Sequence, residues 1–318
     1  MVIIQLAGGL GNQMFQYALY LQFQNLHKEV KIDDVAGFVE GEKRDPSLSA
    51  FGITYQKADP KEIEEMLDAS LLFWHRVRRK LFGRKRKSYF EADKRFKPEI
   101  FTWDDIYLEG YWQTEKYFEA VADQVRAAFD VDRLLMVQQA EDAAKAGQSK
   151  LQTKVQTYLR QITQTQSVSL HIRRGDYLTP ENQALFGGIC TEAYYKEAMG
   201  LMREQYPGCR FFLFTNDKEW AKERFADDKA GRRTEKALTD GEPADVVVVD
   251  LPEGSDHEEF ALMSKCKHHI LANSSFSWWA SYLNQNPGKT VLAPPKWLNG
   301  WDCQDFYRED MRKVSVTP

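Results

Sequence analysis

The residues whose types and spacing best suit chemistry fall in one short run, His171-Ile172-Arg173-Arg174-Gly175-Asp176-Tyr177. It directly follows Val168-Ser169-Leu170, so a predicted strand delivers two guanidiniums and a carboxylate to its C-terminal edge. That edge is where open α/β sheets bind their ligands. Paired guanidiniums grip anionic oxygens with charge-assisted hydrogen bonds, and phosphate is the anion they suit best. Residues 171 and 173 share one face of a strand and 174 takes the other. Arg173 is therefore expected to reach the ligand beside His171, and Arg174 to pair with Asp176 or brace the loop.

Three further clusters could complete such a site. Asn273-Ser274-Ser275-Phe276-Ser277-Trp278-Trp279 follows a predicted strand at 268–272. Hydroxyls and unpaired N–H groups at a helix N-terminus accept anions. Ordinary capping accounts for one polar residue there, not three. Trp278 and Trp279 read as helix–sheet core. The glycine loop at 8–13, GGLGNQ, follows the first predicted strand and lets a phosphate or sugar approach the backbone. The dinucleotide fingerprint fails, because the sixth position counted from Gly9 is Met14, although Asp33 and Asp34 partly mimic its ribose-binding acid. Glu258 and Glu259 open the predicted helix 256–266. A carboxylate there can accept from the N1–H and 2-amino group of guanine, while acids in a first helical turn also serve the helix dipole.

The elements that must position these residues form a recognisable pattern. Strands are expected at 2–6, 30–32 and 106–108. Helices are expected at 13–27, 61–81 and 114–129, with one or two more across 132–165. From 167 the pattern is strand 167–172, helix 191–206, strand 210–215, helix 217–226, strand 246–249, helix 256–266, strand 268–272, helix 275–285 and strand 290–293. Strands alternating with helices imply parallel sheets covered on both faces. A chain of 318 residues exceeds the usual size of one core. Two domains are expected, an acceptor-side domain at 1–165 and a ligand-binding domain at 166–318. The tail after 295 is expected to pack back on the first domain. The segment 227–243 reads as a surface insertion.

Composition narrows the function. A formal net charge of −4 offers no global argument for nucleic-acid binding. Four scattered cysteines without a CxxC pair provide neither a zinc nor a disulfide framework. No run approaches a membrane span, and the opening residues lack the form of a signal peptide, so a soluble cytoplasmic protein is expected. The basic run 76–97 reads as a solvated loop or as a contact with an anionic membrane face or phosphorylated acceptor. Asp130-Val131-Asp132 has the DxD form of a metal-binding transferase motif but follows a helix, and Asp302, Asp305, Glu309 and Asp310 show no ligand spacing.

Five co-linear motifs, GGLGNQMFQYA (8–18), LEGYWQTEKYF (108–118), HIRRGDY (171–177), FLFTND (212–217) and ILANSSFSWWASYL (270–283), together resemble the α-1,2-fucosyltransferases of glycosyltransferase family 11. The resemblance implies an α/β, GT-B-like fold of two Rossmann-type domains, with the donor site in the C-terminal domain and the cleft. It implies inverting, metal-independent transfer from GDP-β-L-fucose to the 2-hydroxyl of a terminal β-galactoside, with no cofactor. By the same resemblance Arg173 contacts the donor β-phosphate, and His171 and the acid at Glu259 hold guanine. Glu259 stands where the family carries aspartate. Ser274, Ser275 and Phe276 cradle the pyrophosphate together with Asn273, and Gly9, Gly11 and Asn12 approach it from the other domain. Asp176, Asn12 or an acid near 109–115 would take the acceptor proton. The acceptor would be a surface-glycan precursor, lipid-linked at the inner membrane face. The alternatives are another GDP-sugar transferase, a different acceptor hydroxyl, an idle glycan-binding protein of the same fold, or a dehydrogenase.

Overall fold

The computed structural model describes residues 1–38, 46–83, 85–135, 149–226 and 245–315, with the backbone alone at 79, 82, 149, 176, 178 and 181. The chain divides into two compact units, one of Met1–Asp130 with Trp301–Tyr307, the other of Val131–Gly300 with Arg308–Pro318. The insertion expected at 227–243 lies outside the described residues.

The first unit is built on a parallel sheet of β1 (Val2–Ala7), β2 (Val30–Gly37), β3 (Ser88–Phe90) and β4 (Ile106–Glu109), in the order β2-β1-β4-β3. Val2 faces Val30 on one side and Ile106 on the other. Val2, Ile3, Ile4 and Leu6 are buried, as a strand covered on both faces requires. The helix Leu10–Asn25 follows β1 and buries even Gln13, Gln16 and Gln22. Gln16 accepts from Ala7 N at 3.0 Å and donates to Gly110 O at 2.8 Å, joining the carboxyl ends of β1 and β4.

The second unit carries six parallel strands, β5 (Ser167–Ile172), β6 (Arg210–Thr215), β7 (Val246–Val248), β8 (His268–Ile270), β9 (Val291–Ala293) and β10 (Met311–Lys313). Their order is β10-β9-β8-β5-β6-β7. The chain winds outward from β5 through β6 to β7, then returns to β8 on the other side. This is the dinucleotide-binding order, and its direction reverses between β5 and β8. Every residue of β5 is buried. Its two serines are bonded, Ser167 Oγ accepting from Lys267 N at 3.1 Å and Ser169 Oγ lying 2.8 Å from His269 Nδ1, whose Nε2 is 2.8 Å from Asn284 Nδ2. The helix Glu192–Gln205 is capped by Thr191, which accepts from Tyr194 N. It lays Tyr194, Tyr195, Met199 and Met202 into one core with Phe211 and Leu213.

Several elements differ from their sequence-based expectation. The stretch 61–81 is two helices, Pro60–Met66 and Phe73–Phe82, because Asp68 takes a left-handed backbone (φ 48°) between them. Residues 115–121 form two 3₁₀ turns before the helix Ala122–Ala128. The strands β3 and β10 and the helix Pro180–Phe186 were not expected. The division falls at 130/131 rather than 165, because the helix Ser149–Gln164 bonds to the second unit. There Tyr158 Oη accepts from Asp250 N at 3.1 Å, and Lys154 Nζ donates to Asp250 O at 2.9 Å. Of the tail, only Trp301–Tyr307 groups with the first unit, and there Asp305 accepts from Phe96 N at 2.8 Å.

Replacing Gln16 by Ala strands a strand-end N–H and a carbonyl together. At roughly 1–3 kcal/mol for an unsatisfied buried group, the expected loss is about 2 kcal/mol of unfolding free energy. Urea denaturation followed by circular dichroism checks it, and an unchanged midpoint would contradict this role for Gln16.

Candidate nucleotide-sugar site

The carboxyl ends of β5, β6 and β8 carry the chemistry of the second unit. His171 is the last residue but one of β5 and is buried. Its ring lies 5.7 Å from that of Phe276, which in turn meets Phe260 edge-on at 5.2 Å. Burial, with the charge of Arg173 adding, holds the imidazole pKa down at about 3, so His171 is neutral at working pH. Its Nδ1 is buried with no hydrogen-bond partner among the described residues, and a water or a ligand group can satisfy such an atom.

Arg173 stands just past the end of β5, its guanidinium 5.8 Å from the Tyr177 ring centre. The residues around it are tied to both neighbouring strand ends. Tyr177 Oη donates to Asn273 O at 3.0 Å, reaching the loop after β8. Arg174 N donates to Asn216 Oδ1 at 2.9 Å, reaching the loop after β6. Gly175 is in the left-handed region (φ 46°), and a Cβ there would stand 2.4 Å from Asn216 Nδ2. Only glycine closes this turn without displacing Asn216.

Arg174 braces the loop as expected, while Asn273, expected at the donor, turns inward. Arg174 pairs with Asp217 (Nε–Oδ2 3.0 Å) and lies over Trp220 at 4.0 Å. Its guanidinium braces the loop through Asp217. The Asn273 amide is buried, donating to Trp297 O at 3.1 Å and accepting from Cys190 Sγ at 3.3 Å. It shapes the loop before the serines, with its side-chain oxygen and one amide N–H committed inside the fold. The side chain of Asp176 lies outside the described residues; its backbone belongs to the turn Gly175–Leu178.

Ser274 caps the helix Ser275–Leu283, its side chain accepting from Phe276 N at 3.3 Å. Ser275 and Phe276 open that helix, and the dipole and first N–H groups favour an anion in front of them. Trp278 and Trp279 are buried behind, as the core reading requires. Glu259 is in the first turn of the helix Asp256–Lys265. Burial raises its pKa to about 7, although Lys218 Nζ stands 3.4 Å away and opposes the shift. Lys218 follows β6, so this acid is held beside the same strand ends.

In the first unit the loop after β1 meets the loop after β4. Gly8 has φ 74°, and a Cβ there would approach Asn12 Nδ2 to 2.7 Å and the Tyr111 ring to 3.3 Å. Gly9 precedes the helix with open space where a side chain would be, while Gly11 is buried in the first turn. Asn12 Oδ1 accepts from Gln113 Nε2 at 2.6 Å. Gln13 ties the loop together, donating to Gly8 O at 2.9 Å and accepting from Ser47 N at 2.8 Å. Buried Glu91 accepts from Tyr111 N at 2.9 Å and from Lys94 Nζ at 3.2 Å. The Lys94 ammonium is 5.9 Å from the ring centre of Tyr111 and 5.8 Å from that of Trp301. Both rings are partly exposed. The sequence reading missed Tyr111, Trp301, Gln113, Asp217 and Lys218. Gln113 and Asp217 lie within the quoted motifs, but their partners are far away in the chain.

Five further acids are held within the fold. Asp33 is buried and accepts from Tyr107 Oη at 2.7 Å, and Asp34 pairs with Lys57 at 2.7 Å, so neither is a ribose acid. Asp132 pairs with Lys265, Asp302 with Arg95, and Asp310 with Arg308. Among the described residues no three of His, Cys, Asp and Glu are grouped as a metal site. Among them, too, no helix is long and apolar enough to cross a membrane.

Known proteins place this arrangement. The model of glycosyl transferase family 11 matches residues 86–310. The chain is 27% identical over 314 residues to an alpha-1,2-colitosyltransferase of Escherichia coli, covering 96% of this chain and 95% of that protein. It is 27% identical over 311 residues to the Escherichia coli O-antigen biosynthesis glycosyltransferase WbnK, covering 93% and 94%. It is 25% identical over 277 residues to galactoside alpha-(1,2)-fucosyltransferase 1 of Ateles belzebuth, covering 87% of this chain and 63% of that one. The family match takes in HIRRGDY and the serine-capped helix alike. The protein is a glycosyltransferase and belongs to glycosyl transferase family 11.

Proposed function

We propose that this enzyme transfers L-fucose from GDP-β-L-fucose to the 2-hydroxyl of a terminal β-galactoside, with inversion and without a metal ion. The observation that carries the reading is the sheet reversal between β5 and β8. It sets the Arg173 turn beside the serine-capped helix, and the two loops are bonded through Tyr177 and Asn273. Cleavage of the donor C1–O bond leaves negative charge on the GDP β-phosphate as the sugar becomes oxocarbenium-like. A guanidinium and a helix N-terminus aimed at that oxygen stabilise it. Glu259 accepts from the guanine N1–H and 2-amino group, with neutral His171 supporting the nucleotide from β5. Asp176, in the turn after Arg173, is the group assigned to the acceptor proton.

Support for the acceptor side comes from the first unit. Tyr111 and Trp301 offer partly exposed ring faces around Lys94, and aromatic faces pack on the C–H face of a pyranose. Gly9, Gly11 and Asn12 lie on the neighbouring loop. The relative named for O-antigen biosynthesis favours a surface-glycan precursor, lipid-linked at the cytoplasmic membrane face. A second donor has a specific observation behind it, the relative named for colitosyl transfer, so GDP-colitose is the comparison substrate.

With GDP-fucose and lactose, the wild-type product is expected to carry an α-1,2 linkage by NMR. Arg173→Ala and Arg173→Lys are both expected to lower kcat by about 10²–10³, or roughly 3 kcal/mol of barrier, with unchanged circular dichroism. A different linkage, or an Arg173 variant within a few-fold of wild type, would overturn the reading.

The acid predicts a pH dependence. Its pKa of about 7 in the free protein means that guanine finds a carboxylate above pH 7 and a carboxyl below it. GDP affinity should therefore fall as pH drops from 8 to 6, approaching about tenfold per unit at the acid end. Glu259→Gln retains the titration of the nucleotide phosphate and loses that of residue 259. The difference between the two calorimetric profiles isolates the acid, and superimposable profiles would contradict its role.

A further inference from the structure

The helix Phe73–Phe82 and its flanks take no part in the site. Leu71 is 83% exposed, Phe73 68%, Trp74 76% and Leu81 68%, with Leu72 exposed beside them. At about 100° per residue, Phe73, Val77, Leu81 and Trp74 fall within a single arc of about 100°. Arg76 and Lys80 border that arc on one side and Arg78 on the other. A continuous apolar stripe facing solvent marks a surface that meets something.

Charge identifies the partner. Eight Lys and Arg fall between 76 and 87, and no Asp or Glu occurs from 70 to 90, in a chain whose net charge is −4. The helix is fastened from its polar side. Buried Asp68 pairs with Arg78 and accepts from Lys85 N at 2.8 Å, and Lys87 N donates to Met66 O at 2.7 Å. These bonds leave the apolar stripe turned outward. A second copy of the chain would bring an identical cationic cluster against this one, and a nucleic acid would leave the aromatic and leucine side chains in water. A bilayer with anionic headgroups satisfies both halves, since an amphipathic helix lies in its interface with apolar side chains below the headgroups and cations among them.

We propose that the helix Phe73–Phe82 docks this protein onto an anionic bilayer surface, with Phe73, Trp74 and Leu81 inserted and Arg76 and Lys80 on the headgroups. This docking is independent of the donor and acceptor assignments. It gives the enzyme access to acceptors carried on lipid.

The test is flotation of the full chain with phosphatidylcholine vesicles containing phosphatidylglycerol, against vesicles of phosphatidylcholine alone. Wild type is expected to float with the anionic vesicles only, and less as salt rises. A Phe73→Ser, Trp74→Ser, Leu81→Ser variant and, separately, an Arg76→Glu, Lys80→Glu variant are each expected to bind at least about tenfold more weakly. Both should retain the wild-type circular dichroism and rate on a soluble acceptor. Failure of wild type to float, equal flotation with neutral vesicles, or undiminished binding by either variant would overturn the proposal. So would a wild-type dimer that these substitutions dissociate. Loss of transfer with flotation intact would count against the proposed function and leave the docking standing.

Discussion

A parallel sheet buried on both faces must send each strand onward through a crossover, and the crossover normally covers the strand's carboxyl end. Where the winding reverses, the segments leaving two adjacent strands diverge and their ends stay uncovered. Among the described strands of the second unit this happens between β5 and β8. Both strands are short and deeply buried, so the sheet holds the residues at their exits in fixed positions. In the second unit the candidate residues His171, Arg173 and Ser274–Phe276 gather at those two exits.

Around that gap the polar residues divide their labour. Arg174, Asp217, Asn216, Tyr177 and Asn273 spend their hydrogen bonds on one another and on neighbouring backbone. The turn between them is thereby fixed, and Arg173 is carried on it. A guanidinium held in this way needs little reorganisation when charge develops on a leaving phosphate, and electrostatic stabilisation of that kind depends on preorganisation. Neutral His171 adds no competing charge. The first unit repeats the device in smaller form, with Gln16 and Gln113 linking the loops that leave β1 and β4.

What could be read from the sequence was what is local. The period of two along 167–173 placed His171 and Arg173 on one face, and the polar run before Phe276 marked a helix start, because both depend on residues a few positions apart. The partners could not be read, because they are distant in sequence. Arg174 finds Asp217 43 positions later, and Glu259 finds Lys218 41 positions earlier. Asn273 looks like another N-terminal donor, and only tertiary packing shows its amide turned inward to Trp297 and Cys190. The strands SYF and MRK escaped notice because they lack the apolar run that marks three-residue strands such as VVV and VLA. Their pairing partners define them. Trp301–Tyr307 joins the first unit through Asp302 and Asp305, side chains that in sequence look like stray acids.

We propose that the β5/β8 gap holds a guanine nucleotide by means of protein charges alone. Calorimetric titration of the intact protein with GDP, UDP and ADP, each in EDTA, tests it most directly. The account predicts saturable one-to-one binding of GDP, with UDP and ADP weaker by at least about tenfold, and no loss in the chelator. Equal affinity for the three nucleotides, or GDP binding that disappears in EDTA, would contradict it.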